Sequence, residues 1–143
     1  MLNSKQKGNL TELLCLAAFT ELGFTVSIPY GDCAKYDFIV EIDGKLYKIQ
    51  CKTSHLREEG VYTFQCSSTY INSQGNHRVA YDKNQVDFFC TFINGKCYLI
   101  PYDETGHREK VMRFVLPKNN QTKGITFADT YLAENQIERL KQE

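Results

Sequence analysis

Long hydrophobic stretches are missing from this sequence of 143 residues. Its apolar runs fall far short of the roughly 20 residues that a membrane-spanning helix needs. Residues 1–9 are polar and basic, and no apolar segment of the secretory kind follows them. We therefore expect a cytoplasmic protein that does not contact a membrane. With 42% hydrophobic and 24% charged residues, the composition favours one folded domain over residues 1–143 and excludes a disordered chain.

A net charge is also missing, because 17 Lys and Arg residues balance 17 Asp and Glu residues. The overall charge thus gives no support to nucleic-acid binding, and any such function must depend on local patches. One basic patch lies in residues 105–123, where Arg108, Lys110 and Arg113 are accompanied by Lys118 and Lys123. A basic run of this kind is also typical of an ordinary solvated surface.

Short cysteine and histidine motifs are absent as well. The six cysteines include no C-x₂-C or C-x₄-C pair of the kind that binds zinc, and His55, His77 and His107 have no metal-binding spacing. We expect reduced, buried thiols, with disulfides as a minor alternative and a zinc site less favoured still.

Hydrophobic periodicity predicts a first helix over residues 4–22. Leu10, Leu13, Leu14, Ala17, Ala18 and Leu22 form one apolar stripe, and Cys15, Leu16 and Phe19 form another. Since the helix is apolar on two sides, we expect it to be buried on both. Strands are predicted over residues 24–28, 36–42, 45–52, 61–66, 87–93 and 96–101, and a closing helix over about 130–141. The polar residues 67–80 are predicted to form a long loop.

The dipeptide Asp43-Gly44 predicts a tight hairpin between the second and third strands. In that register Ile42 faces Lys45, so that Asp37 faces Gln50, and Lys52 shares the face of Gln50 because side chains alternate along a strand. The opposite face, with Phe38, Val40 and Ile49, is apolar and belongs against the core.

The cluster on the polar face has a definite chemical use. A carboxylate and a neutral oxygen suit a hard divalent cation such as Mg²⁺. A lysine beside them can orient or deprotonate a water molecule and can oppose negative charge on a phosphate. The hairpin is therefore suited to phosphodiester hydrolysis.

Tyr36-Asp37, the strand-turn-strand, and Gln50-Cys51-Lys52 together resemble the signature of the PD-(D/E)XK nucleases. The residues around Lys5, Ser27, Val86 and Tyr98 are similar to the branch that group I introns encode, the homing endonucleases. The resemblance covers about the first hundred residues. It implies an α/β fold of the α+β mixed-sheet type, with a restriction-endonuclease-like core and the N-terminal helix packed on a sheet built from hairpins.

The resemblance also implies an active site. Glu12, Asp37, Gln50 and Lys52 would be catalytic, and Asp37, Gln50, Glu12 and the backbone carbonyl of Cys51 would bind Mg²⁺ or Mn²⁺. Tyr36 replaces the proline of the motif and Gln50 replaces its second acid, which removes a negative charge from the metal site. Glu12 has an alternative role, because Asn9-x-x-Glu12 is similar to a helix capping box.

The expected partner is double-stranded DNA. The residues we expect to contact DNA are polar or basic and lie in three segments: Lys5 and Lys7, then Gln74, Asn76, His77 and Arg78, then Arg108, Lys110 and Arg113. Cutting both strands of a duplex needs at least a dimer, so we expect a homo-oligomer, either a dimer or a tetramer. Alternatives are a Holliday-junction resolvase, a restriction-type nuclease, or a catalytically inactive DNA-binding module of the same fold.

Overall fold

The computed structural model describes residues 1–106 and 108–143, and His107 lies outside the described residues. Within these described residues, two α-helices and ten strands follow one another. They are α1 (Ser4–Glu21), β1 (Thr25–Ser27), β2 (Phe38–Ile42), β3 (Lys45–Cys51), β4 (His55–Glu58), β5 (Val61–Gln65), β6 (Ser67–Asn72), β7 (Gly75–Ala80), β8 (Phe88–Ile93), β9 (Lys96–Pro101), β10 (Glu109–Arg113) and α2 (Ala133–Lys141).

The central sheet has the order β1-β2-β3-β8-β9, with β3 and β8 parallel and the other neighbours antiparallel. This arrangement confirms the predicted mixed sheet. Two smaller sheets accompany it, one with the order β10-β5-β4 and one formed by β6 and β7. No helix in the described part of the chain is long and apolar enough to cross a membrane.

Two tight turns fix the register of the central sheet. Asp43-Gly44 has φ angles of 51° and 79°, and Asn94-Gly95 has 51° and 82°. Left-handed backbone at both turn residues matches the twist of the adjoining strands, and Asn, Asp and Gly tolerate it best. Ile42 consequently pairs with Lys45, which confirms the predicted hairpin, and Ile93 pairs with Lys96 in a second hairpin of the same form.

Helix α1 begins at Ser4, which is too early for Glu12 to belong to a capping box at the helix start. Asn3 is its N-cap, and the side chains of Asn3 and Gln6 each accept a hydrogen bond from the other's backbone N–H. Asn9 and Glu12 lie inside the helix, and the capping-box alternative for Glu12 is therefore wrong. The helix ends at Glu21, and Gly23, two residues later, has a φ of 90° that suits glycine.

The prediction that α1 is buried on two sides is also wrong. Thr11, Cys15 and Phe19 face the sheet and are buried, whereas Leu10 and Leu13 are 45% and 62% exposed. The sheet lies on one side of the helix, so Leu14 and Ala18 of the other stripe are only half-buried, and Leu10 and Leu13 face solvent.

The core lies on both faces of the central sheet. Phe19, Phe38, Ile49 and Leu99 pack between the sheet and the two helices. On the opposite face Phe89 and Ile100 pack against residues of β5 and β10. Strands β8 and β9 are thus buried on both faces, which explains their nearly continuous apolar sequences.

The predicted loop over residues 67–80 is wrong, because these residues form the β6-β7 hairpin with Asn72 paired to Gly75. Every residue from Thr69 to Ala80 except His77 is exposed. The hairpin therefore has no apolar face against the core, and apolar alternation could not predict it. Strands β4 and β10 were not predicted either. The closing helix α2 begins at Ala133, since residues 128–131 form a 3₁₀ turn.

Candidate active site

Asp37 directly precedes β2 at the open end of the β2-β3 hairpin, and Gln50 lies near the end of β3. The paired residues end at Phe38 and Ile49, and the backbone N–H of Asp37 donates to the Ile49 carbonyl over 2.8 Å, which ties Asp37 to β3 just beyond the ladder. Phe38, Val40 and Ile49 on the opposite face are fully buried, as predicted. The predicted register is therefore confirmed from Phe38 and Ile49 to the turn, and Asp37 lies one residue before the paired segment.

The carboxylate of Asp37 is held in place by the next strand. Its Oδ2 atom accepts a hydrogen bond of 2.8 Å from the backbone N–H of Cys51. Burial raises the pKa of Asp37 above its ordinary value, while this hydrogen bond and the charge of Lys52 act in the opposite direction. The Asp37 carboxyl group is thus partly desolvated and lies close to Lys52.

Gln50 is half-buried, and its Nε2 atom lies 3.4 Å from the carbonyl oxygen of Cys51. The amide group and this carbonyl are therefore adjacent, as a ligand set that includes both would require. A second carboxylate at position 50 would add negative charge beside Asp37, whereas the amide adds none.

Glu12 reaches this site from α1. Burial raises the pKa of Glu12, and the negative charge of Asp37 raises it further. Mutual repulsion between two carboxyl groups is typical of a site that gains from a bound cation. The structure thus brings together Glu12, Asp37, Gln50 and Lys52.

Lys52 is surrounded by residues from outside the motif. Its Nζ atom donates a hydrogen bond of 3.2 Å to the carbonyl of Ser67 and lies 5.0 Å from the ring centre of Tyr81. Burial lowers the pKa of Lys52, and the negative charge of Asp37 opposes this effect. Ser67 begins β6 and Tyr81 directly follows β7, so the base of the β6-β7 hairpin holds the lysine.

Sequence reasoning missed Ser67 and Tyr81. Ser67 lies within the segment predicted as a loop, and its contact is made through the backbone carbonyl, which carries no sequence signal. The hydroxyl group of Ser67 is buried and has no hydrogen-bond partner among the described residues. An unpartnered buried hydroxyl at the edge of a site is a position where a water molecule or a substrate can bind.

Hydrogen bonds between polar side chains fix the end of β3. The hydroxyl groups of Thr11 and Thr53 lie 2.9 Å apart, and those of Ser54 and Thr91 lie 2.7 Å apart. The first pair joins α1 to the segment after Lys52, and the second joins that segment to β8. Both pairs position the motif residues without belonging to the motif.

The residues expected to contact DNA are distributed over three surfaces. Lys5 and Lys7 are exposed on the first turns of α1. Gln74 lies at the turn of the β6-β7 hairpin, while Asn76 and Arg78 share one face of it and His77 lies on the other, stacked on Tyr70. The hairpin thus presents three of the four predicted residues to solvent.

The residues of the basic segment differ in accessibility. Arg108 is exposed, and Arg113 is half-buried on β10. Lys110 donates hydrogen bonds to the carbonyl of Glu104 and to the hydroxyl of Tyr131 over 2.9 and 3.1 Å. Lys110 is therefore engaged within the protein, and Arg108 is the more accessible of these three side chains.

The five-stranded mixed sheet, with acidic residues and a lysine at a strand end, is the arrangement of a nuclease. The family model for PD-(D/E)XK endonucleases matches residues 2–134. This match spans nearly the whole sequence, and the chain belongs to the PD-(D/E)XK endonuclease family. Membership implies a DNA substrate and, in general, a divalent metal ion.

The fold is also similar to a solved structure of a bacterial homing endonuclease, I-Ssp6803I. The two proteins are 24% identical, the match covers 99% of each chain, and the TM-score is 0.75. A comparison with curated proteins gave no significant match.

Proposed function

We propose that this protein is a site-specific homing endonuclease that hydrolyses phosphodiester bonds of double-stranded DNA with Mg²⁺ or Mn²⁺ in the cytoplasm. The observation that carries the proposal is the set of contacts around Asp37 at the open end of the β2-β3 hairpin. Its carboxylate accepts a hydrogen bond from the backbone N–H of Cys51 and lies close enough to Lys52, and to Glu12 of α1, for their charges to interact.

The donor atoms around Asp37 fit a hard divalent cation. Glu12 and Asp37 offer carboxylate oxygens, and Gln50 and the Cys51 carbonyl offer neutral ones. The repulsion between Glu12 and Asp37 favours a cation between them. When bound there, the metal ion would supply a polarised phosphate oxygen and an acidified water molecule.

Lys52 supplies the remaining function. Its ammonium group is anchored by Ser67 and Tyr81 and lies near the Asp37 carboxylate. In this position the lysine can hydrogen-bond the attacking water and oppose the negative charge that builds up on the phosphate. The hydrogen bond from the backbone N–H of Cys51 holds the Asp37 carboxylate in its orientation.

The β6-β7 hairpin is suited to contact base edges. A two-stranded ribbon fits the major groove of DNA, and six-residue strands span about 20 Å. Gln74, Asn76 and Arg78 have side chains that can bind base edges, and they are exposed on this ribbon. Lys5, Lys7 and Arg108 are available for phosphate contacts.

One active site per chain cuts one strand, so double-strand cleavage needs a second copy. We propose a homo-oligomer, a dimer or a tetramer, whose hairpins contact matching half-sites.

A second candidate function, a DNA-binding module without catalysis, is favoured by one observation. Gln50 stands where the family motif has an acid, which leaves the proposed metal site with one fewer negative charge. Such a module would bind the same DNA and leave it intact.

The test uses purified protein with Mg²⁺ on three substrates: a duplex with the uninterrupted exon sequence around the insertion site, a scrambled duplex, and a four-way junction. We expect cleavage of the exon duplex alone, and none in EDTA. Binding of the exon duplex without cleavage would favour the silent module. Preferential cleavage of the junction would identify a resolvase instead.

A further inference from the structure

Three of the six cysteines meet at one point in the core and a fourth contacts one of them, although the four come from four different elements. They are Cys15 of α1, Cys51 of β3, Cys90 of β8 and Cys97 of β9, and each is buried. The sulfur atoms of Cys15, Cys51 and Cys90 all lie within 4.8 Å of one another. The Cys97 sulfur lies 3.3 Å from that of Cys90.

This convergence is not visible in the spacing of the sequence. Successive cysteines of this set are at least seven residues apart, because each belongs to a separate strand or helix. Short cysteine motifs arise where one turn supplies two ligands, whereas here the packing of α1 on the sheet supplies all four.

The chemistry of the cluster favours a soft metal ion. Thiolates bind Zn²⁺ in a tetrahedron with a metal-sulfur distance of about 2.3 Å, which separates the sulfurs by about 3.8 Å. Among the described residues, only thiols contribute to the cluster of Cys15, Cys51 and Cys90. A hard cation such as Mg²⁺ would find no oxygen donor in this set.

We propose that Cys15, Cys51, Cys90 and Cys97 form a structural site for one thiophilic divalent ion of the zinc type. Each thiol that binds releases its proton to solvent, and the ion neutralises two of the resulting negative charges. The site is separate from the proposed Mg²⁺ site in its donor atoms, and it does not depend on the proposed function.

The location of the cluster gives it a structural role. Cys15 lies three residues after Glu12 on α1, and Cys51 lies between Gln50 and Lys52 on β3. The backbone N–H of Cys51 also donates to the carboxylate of Asp37. A metal ion bound to Cys15 and Cys51 would join the helix and the strand that carry the candidate active site.

The test uses the full chain, reduced and stripped of metal, and titrated anaerobically with Co²⁺. Tetrahedral Co²⁺ bound to thiolates gives sulfur-to-metal charge-transfer bands and intense visible bands, and Zn²⁺ should remove both by displacement. We expect one equivalent per chain and a higher melting temperature with Zn²⁺. The Asp37→Asn variant should lose cleavage and retain these bands, which separates this site from the active site.

The matched controls are Cys33→Ser, at an exposed thiol, and Cys66→Ala, at a buried thiol of the other core region. Both should retain the bands, whereas Cys15→Ala and Cys97→Ala should weaken or lose them. If a cluster variant does not fold, the wild-type titration still decides. Absence of thiolate bands in the reduced wild-type protein, or their loss in Cys33→Ser, would overturn the proposal.

Discussion

The ammonium group of Lys52 donates a hydrogen bond to the carbonyl oxygen of Ser67 over 3.2 Å. Ser67 is the first residue of the β6-β7 hairpin, and Tyr81, whose ring faces the same ammonium group, directly follows that hairpin. The lysine of the candidate active site is thus held by the base of the element that we propose to contact DNA. The proposed DNA contacts and the position of Lys52 therefore both depend on the β6-β7 hairpin.

Substitutions at the exposed end of the hairpin should therefore affect DNA binding more than chemistry. Arg78→Ala and Asn76→Ala should each weaken binding of the target by about 1–3 kcal/mol if they remove a base contact. Their single-turnover rates at saturating protein should remain near that of the wild type. Binding measured at fixed salt, with scrambled DNA as competitor and Lys45→Ala as control, tests this. Equal loss on target and scrambled DNA would assign these residues to phosphate contacts instead.

Removal of the Tyr81 ring should lower the cleavage rate more than it weakens DNA binding. A cation-π contact is worth about 0.5–2 kcal/mol, so Tyr81→Leu should lower the single-turnover cleavage rate by about 2- to 30-fold with little change in DNA affinity. Tyr81→Phe retains the ring and should retain most of the rate. Melting temperatures show whether each variant is folded at the assay temperature. Equal rates for the Leu and Phe variants would contradict the assigned role.

The ionised carboxylate of Glu12 should lower the free energy of unfolding of the metal-free protein at neutral pH. Burial and Asp37 raise the pKa of Glu12 above its ordinary value of 4.5 in the folded state, so the charged form is disfavoured by folding. Below pH 4.5 the side chain is protonated in both states, and the cost disappears. Glu12→Gln should therefore raise the melting temperature at pH 7 in EDTA and leave it nearly unchanged at pH 4.

Glu12→Gln should also bind Mn²⁺ more weakly than the wild type and cleave DNA more slowly. Glu21→Gln, at an exposed position near the end of the same helix, is the matched control and should change neither property. A loss of stability at pH 7 in Glu12→Gln would mean that Glu12 makes a favourable contact instead.

A substitution at Gln50 tests how the charge of this side chain affects metal binding. Gln50→Glu adds a negative charge to the proposed Mg²⁺ site and should lower the metal concentration for half-maximal cleavage on the order of tenfold. Gln65→Glu, an exposed change on β5, should not alter it. An unchanged metal requirement would place the metal ion away from Gln50.

The hairpin of the candidate site could be predicted because its information is local. Asp43-Gly44 fixes the turn, the turn fixes the register, and the apolar residues Phe38, Val40 and Ile49 select the face. Asp37 directly precedes β2 and Lys52 directly follows β3, so this hairpin brings both to its open end. The β6-β7 hairpin could not be predicted in this way, because backbone pairing holds it together and it packs no apolar face against the core.

Contacts between residues that are far apart in the sequence could not be predicted from local sequence patterns either. The Ser67 carbonyl that binds Lys52 is a backbone group, and the four clustered thiols come from separate elements. Helix α1 shows a further limit, since two apolar stripes were visible in the sequence but only the one with Cys15 and Phe19 is buried. Burial depends on which side of a helix the sheet occupies, and this is a property of the whole fold.

The most direct test of the proposed mechanism is the single-turnover cleavage rate of Lys52→Ala on the exon duplex with Mg²⁺, measured together with its DNA affinity. We predict that cleavage falls by about 100-fold or more while affinity stays close to that of the wild type. Lys45→Ala, at the start of the strand that Lys52 directly follows, should match the wild type in both. Cleavage by Lys52→Ala at the wild-type rate would contradict the assignment of this hairpin as the active site.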